Sequence, residues 1–369
     1  MTMLRFHAPY LEWAKTRRPA RFDLAGSNVL ACSIDELPGA REAIAFDGRN
    51  DTGYPPLIDS IATRYGVAPE RVTTAQGASG ANFLACAALL EPGDEVLVET
   101  PGYDPLLGAP RLLGAHVNRF DRDFADGFAV DPERVRRAMT PRTRLIIITT
   151  PHNPSGVLAD PAAIEEIGSI AQANGAHVLL DEVYLDLAAA TAYGSVTPDA
   201  TFAARGDAFV CTNSLTKSYG LSGLRCGWIL SSADVAERIR RARDVVDGTG
   251  SIVTERLAAL AFTHLDRLLA RAIALVERNG ALVRDFLRSR TDLTWIEPAG
   301  TVVFPRLRGV TDTTTFTERL LKERDTAIVP GHFFQAPGHV RIGFGGPTEA
   351  LRGGLEAIGA ALNESIPNP

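Results

Sequence analysis

The sequence predicts an α/β fold with a mostly parallel, doubly wound sheet and a second, smaller α+β unit, on three observations. Between residues 55 and 214, short apolar runs alternate with helical stretches. One such run, 144–149 with Leu145, Ile146, Ile147 and Ile148, is apolar almost without interruption, as expected for a strand covered on both faces. Beyond residue 232 the alternation gives way to long helices and then to further strand signals.

In chain order, residues 1–35 read as an irregular arm and linker, with a short extended segment at 21–28. Pro55–Tyr65 carries Leu57, Ile58 and Ile61 with Arg64 opposite, a helix that Gly66 ends. Gly77-Ala78-Ser79-Gly80 forms a turn leading into a buried helix over 81–90, and a strand follows at 95–99 before Thr100-Pro101-Gly102-Tyr103. After the strand at 144–149, Asp160 caps and Pro161 starts a helix through Ile164, Ile167 and Ile170, which Asn174-Gly175 ends. Two more strands fall at 177–180, with Asp181 at its carboxyl end, and at 208–212, with Lys217 a short loop further on. This spacing implies right-handed crossovers. Leu265–Arg288 is the clearest long helix, and strand signals at 294–308 and 327–344 with a helix at 349–362 complete the chain. The predicted division is an arm at 1–35 that joins the smaller unit, a large domain at 36–265 and a C-terminal small domain at 266–369.

Composition narrows the function classes. The chain of 369 residues is long enough for a sizeable core, and a net charge of −6 with no basic stripe disfavours nucleic-acid binding. No apolar run approaches the roughly 20 residues that cross a bilayer, and residues 1–21 lack the apolar core of a signal peptide. Cys32, Cys86, Cys211 and Cys226 form no Cys-x-x-Cys pair and read as free thiols in a reducing cytoplasm. The seven histidines are scattered, so no metal site is expected.

Lysine is scarce. Of 38 Lys and Arg residues, only Lys15, Lys217 and Lys322 are lysine. Arginine stays protonated at any useful pH, whereas a partly buried lysine can lose its proton and act as nucleophile or base. Lys217 sits among small, hydroxyl-bearing neighbours, Ser214-Leu215-Thr216-Lys217-Ser218. Ligands of open α/β sheets bind beyond the carboxyl ends of the strands. The predicted strands deliver Tyr103, Asn153, Asp181 with Tyr184, and Lys217 to that edge.

This ordered set, together with Gly220-Leu221-Ser222-Gly223-Leu224-Arg225-Cys226-Gly227, resembles the class I/II aminotransferases, fold type I enzymes dependent on pyridoxal 5′-phosphate (PLP). The resemblance runs from about residue 53 to 344. It implies that Lys217 holds PLP as an internal aldimine and that Ser214, Arg225 and the Gly77-Ala78-Ser79 segment bind its phosphate. A helix N-terminus and a forked, permanently charged donor both suit a dianion. The resemblance also implies that Asp181 faces the pyridine nitrogen and keeps the ring an electron sink. Asn153 and Tyr184 would hydrogen-bond the ring's 3′ oxygen, Tyr103 would stack on the ring, and Arg341 would clamp the substrate α-carboxylate. Asn28 in Gly26-Ser27-Asn28, and Asn153, are candidates for the substrate side. Two departures stand out. The tyrosine that relatives carry before the residue matching Gly53 is missing, with Asn50 or Tyr54 as candidate replacements, and the N-terminal glycine segment is poorly matched. The implied activity is amino transfer between an L-amino acid and a 2-oxo acid by a homodimer. A PLP-dependent lyase or cyclising synthase is the alternative, since the same Cα carbanion serves each. A protein that keeps the fold without catalysis fits poorly with the intact set.

Overall fold

The structure, a computed structural model, describes residues 7–365. Residues 1–6 of the arm and 366–369 of the C-terminal unit lie outside the described residues. The chain opens with helix α1 (Pro9–Thr16), where the sequence reads as an irregular arm, and with a two-residue strand, β1 (Phe22–Asp23), inside the extended segment expected at 21–28. Both elements depend on distant parts of the chain. Helix α1 is short and has no side-chain cap, and its aromatic residues Tyr10 and Trp13 pack on the distant Phe333. Strand β1 exists by pairing with Thr326-Ala327. Neither partner is visible in a local window.

After α2 (Ala40–Ala43) comes α3 (Pro55–Tyr65), ended by Gly66 in the left-handed region as expected. Strand β2 (Val72–Gln76) runs directly into α4 (Gly77–Leu89). The expected turn at 77–80 is therefore the first turn of the helix itself, made possible by the positive φ of 69° at Gly77. There follow β3 (Glu95–Thr100), α5 (Pro105–Leu112), β4 (His116–Asp121), α6 (Pro132–Ala138), β5 (Thr143–Thr149), α7 (Pro161–Ala173), β6 (His177–Asp181), α8 (Leu185–Tyr193), β7 (Phe209–Ser214) and β8 (Cys226–Leu230). Helix α7 begins as its sequence requires, with Asp160 accepting from the Ala162 N–H and Pro161 in the first turn. The remainder is α9 (Ala233–Val246), α10 (Ile252–Phe262), α11 (Leu265–Arg288), β9 (Leu293–Thr294), β10 (Val302–Val303), β11 (Arg306–Leu307), α12 (Thr314–Arg324), β12 (Thr326–Ala327), β13 (Val329–Pro330), β14 (Val340–Gly343) and α13 (Thr348–Ser365).

The central sheet has seven strands in the order β2-β8-β7-β6-β5-β3-β4. Strands β3 to β7 are mutually parallel, and β8 runs antiparallel to both β2 and β7. Side chains alternate between two apolar layers. Leu97, Ile146, Ile148, Val178 and Leu180 belong to the layer shared with α3, α7 and α11. Val96, Val98, Leu145, Ile147 and Leu179 belong to the one shared with α4, α5 and α9. Continuous apolar runs are what a sheet packed on both faces demands. The smaller sheets, β10-β14-β13, β11-β9 and β1-β12, involve the N-terminal arm and residues beyond 290.

A buried ion pair ties the carboxyl ends of β3, β4 and β5 together. Arg122, one residue past β4, donates through Nη1 to Glu99 Oε2 at 2.7 Å, and both side chains are fully buried. Glu99 Oε1 accepts from the Thr149 N–H at 2.8 Å, and Arg122 Nε donates to the Phe128 carbonyl at 2.8 Å. Burial pushes the Glu99 carboxyl up and the Arg122 guanidinium down, and their mutual attraction opposes both shifts. Next to it, buried His152 spans two loops, its Nδ1 2.7 Å from Ser155 Oγ and its Nε2 2.8 Å from the Pro101 carbonyl. Replacing Arg122 with Met leaves Glu99 buried and unpaired, so the R122M protein should lose about 3–5 kcal/mol of stability in urea titrations, whereas the double change to apolar residues should restore much of it.

Candidate active site

Because β3, β5, β6 and β7 are parallel, the loops after all four leave the same edge of the sheet. A cavity of about 600 Å³ lies there. Asn28, Ala78, Ser79, Tyr103, Asn153, Asp181, Tyr184, Ser214, Lys217 and Arg225 line it. Of the residues selected from the sequence, Gly77 and Arg341 lie behind this lining rather than in it.

Lys217 projects into the cavity from the loop after β7. Its Nζ donates to Asn28 Oδ1 at 2.7 Å and to Ser27 Oγ at 2.9 Å, and it lies over the Tyr184 ring at 5.7 Å from the centroid. Burial, aided by Arg341 and then Arg225, lowers its pKa to about 7, against the opposing pull of Asp181. Tyr184, at the start of α8, donates from its hydroxyl to Ser27 Oγ at 2.9 Å, and burial raises its pKa to about 12. Asp181 ends β6 and is 4% exposed. Burial raises its pKa, while Oδ2 accepts from Asn82 Nδ2 at 3.0 Å and Oδ1 from the Val183 N–H at 3.3 Å.

At the other end of the cavity the first turn of α4 presents unpaired N–H groups beside Ser214, Ser222 and Arg225. Among the described residues the Arg225 guanidinium has no hydrogen-bond or ion-pair partner. Arg225 adopts φ 51°, and a Cβ built on Gly77 would lie 2.4 Å from its Nη2. A Cβ on Gly227 would lie 2.4 Å from the Gly77 backbone, and Gly77 has φ 69°, so this corner favours glycine at both places. An unpartnered arginine, a helix N-terminus and two serines form a donor set that fits a phosphate dianion.

Arg341, in β14, is 1% exposed. Nη1 donates to Asn153 Oδ1 at 2.8 Å, and Nη2 donates to the Tyr10 hydroxyl at 2.6 Å and to the Ala25 carbonyl at 2.9 Å. Its Nε is buried without a partner. Asn50 and Tyr54 lie outside the cavity lining. The Asn50 amide donates to the Gly250 carbonyl and to Glu255, and the Tyr54 N–H donates to Glu255 Oε2.

Several site contacts escape the sequence reading. Asn82 carried a usable signal, an amide within an otherwise apolar helix. So did Lys15, one of three lysines, which together with Leu11 places α1 at the cavity mouth. Ser27, beside the selected Asn28, and Tyr10 carried none, because their positions depend on residues 157 and 331 places away.

The pattern for aminotransferase class I and II matches residues 29–358. The chain belongs to that family. It is 32% identical to a capreomycidine synthase of Streptomyces vinaceus across 96% of this chain and 93% of the synthase. Among solved structures, a PLP-dependent aminotransferase from Streptococcus suis 89-1591 superposes with a TM-score of 0.90 at 29% identity and covers all of both chains. A PLP-dependent cyclase, OrfR, superposes at 0.84 with 29% identity across 99% of this chain and all of that one. The protein is thus a PLP-dependent enzyme of the aminotransferase family, with the fold read from the sequence.

A neutral amine is the form that reacts with an aldehyde, and a pKa of about 7 makes it available above neutrality. Protein stripped of PLP should therefore recapture it faster as pH rises through a midpoint near 7, as followed by stopped-flow absorbance. An ordinary lysine would keep accelerating toward its pKa of about 10.4.

Proposed function

We propose that this enzyme transfers an amino group from an L-amino acid to a 2-oxo acid, with Lys217 as the group that moves the substrate Cα proton. The observation that carries this reading is the convergence of Lys217, Asp181, Asn153, Tyr184 and Arg225 on one cavity in a chain of this family. PLP, when bound, supplies a ring that withdraws electrons from the substrate Cα.

The assigned roles follow from position. Arg225, Ser214 and the N–H groups of Gly77, Ala78 and Ser79 would hold the phosphate. With PLP in the cavity, the Asp181 carboxylate would pair with the ring nitrogen, Asn153 Nδ2 and the Tyr184 hydroxyl would hydrogen-bond the ring oxygen, and Tyr103 would cover the ring. Lys217 Nζ collects the Cα proton, and Ser27 Oγ and Asn28 Oδ1 stand 2.9 and 2.7 Å away to accept from the resulting ammonium. A pKa near neutrality suits a group that both takes and returns a proton. Arg341 receives the substrate carboxylate once Asn153 and Tyr10 share it. Exposed apolar side chains at Ile44, Phe46, Val245 and Val246 support a homodimer, and among the described residues no helix is long and apolar enough to cross a membrane.

A second reading is cyclisation of an amino acid. The likeness to the synthase and to the cyclase favours it, because both extend over nearly the whole chain. The same proton removal serves it, and only the fate of the substrate differs. Incubation with amino acids, with and without a 2-oxo acid, separates the readings. Consumption that needs the acceptor and returns one new amino acid per turnover supports transfer. A single ring-containing product formed without acceptor supports cyclisation. Under either outcome, Lys217→Ala should lose the visible absorbance of bound PLP and slow turnover by at least roughly 10²–10⁴-fold. A variant that keeps both removes Lys217 from the chemistry.

A further inference from the structure

We infer that Asn82 is a positioning residue that keeps the Asp181 carboxylate ionised and aimed, and through it holds the proton on the PLP ring nitrogen. The inference rests on the reading of Asp181 as the partner of that nitrogen.

Asn82 lies in the second turn of α4 and is 6% exposed, next to the buried, apolar Ala81 and Ala85. A lone amide in such a place needs partners for both of its ends, and it has them. The Thr212 hydroxyl donates to Asn82 Oδ1 at 2.6 Å, which fixes the carbonyl end and turns the amide nitrogen the other way. That nitrogen donates to Asp181 Oδ2 at 3.0 Å. Asp181 and Thr212 are paired across β6 and β7, so the three side chains form a closed set on adjacent elements. The orientation of the amide is thus set by its neighbours.

Without the Asn82 donor, Asp181 Oδ2 would have no hydrogen-bond partner among the described residues, and Asp181 is only 4% exposed. A buried carboxylate deprived of its donor takes up a proton. The Asn82 bond is also the largest influence opposing the upward push of burial on Asp181, ahead of Val183 and Lys217. A neutral Asp181 cannot balance a charged ring nitrogen, so the ring would lose its proton and withdraw electrons less well. Helix α4 would then serve both ends of the cofactor, with its first turn at the phosphate and its second, through Asp181, at the ring nitrogen.

The test uses holoenzyme reconstituted with PLP labelled with ¹⁵N in the ring, whose NMR shift separates the protonated from the neutral nitrogen. Wild type should give the protonated shift. Asn82→Leu, close in volume but without a donor, should give the neutral shift and lower turnover roughly tenfold to a hundredfold, the size expected for losing a hydrogen bond to a charged group. PLP methylated on the ring nitrogen, which carries a permanent charge, should restore part of that loss. A protonated shift in N82L overturns the inference, even if activity falls. If N82L fails to bind PLP, Thr212→Val decides, since it frees the amide to turn while keeping the packing. A shift toward neutral supports the inference, and an unchanged shift overturns it. Asp181→Asn separates this from the underlying reading. A protonated ring in D181N removes the role of Asp181 itself, whereas loss of the proton there with retention in N82L removes only the role of Asn82.

Discussion

The site is short of negative charge, and much of its structure follows from that. Lys217 and Arg225 line the cavity and the buried Arg341 lies behind it, three cationic groups against the single carboxylate of Asp181 among the lining residues. Both arginines depress Lys217, and neither can yield a proton itself. The lysine is the member of the set able to relieve the repulsion, which is a chemical reason for a lysine here in a chain that mostly uses arginine. On the proposed reading, a phosphate would bring negative charge to one end of the cavity and a substrate carboxylate to the other. In the protein alone the deficit is partly masked. Ser27 and Asn28 accept from Lys217, and Tyr10, Ala25 and Asn153 accept from Arg341.

Holding like charges near one another requires a rigid frame, and the sheet provides it. The two apolar layers fix the strands, and the Glu99–Arg122 pair locks three of their carboxyl ends. His152 then joins the loop that carries Tyr103 to the loop that carries Asn153. On the far side, Gly77 and Gly227 let β8 and the start of α4 approach closely enough for Arg225 to lie along the helix end. These devices contribute no chemistry of their own, and they leave the reactive groups little freedom to move apart.

Much of this was legible in the sequence. Strand β5, helix α7 with its Asp160-Pro161 start, and helix α11 each carry their signal within their own residues, as periodicity, cap or length. The site groups that follow parallel strands could be placed because such strands end at one edge. What remained hidden depends on contacts between distant parts of the chain. Strand β8 begins at the end of the segment notable for its glycines and arginine, and it is a strand because β2 and β7 flank it. Helix α1 needs Phe333 to pack upon. The hydroxyl of Ser27 became a site contact only when the arm folded back across Lys217.

The contact between Tyr10 and Arg341 makes helix α1 more than a cover. If Arg341 receives the substrate carboxylate, that carboxylate and the Tyr10 hydroxyl compete for one guanidinium whose terminal nitrogens are already donating. Two ligands that share a group are linked, and linkage is reciprocal. Whatever free energy the carboxylate spends in loosening α1, the docked α1 subtracts from the affinity for carboxylate. Helix α1 also brings Leu11 and Lys15 to the cavity mouth. One equilibrium therefore governs both how tightly the common end of an amino acid is held and which side chain the mouth admits.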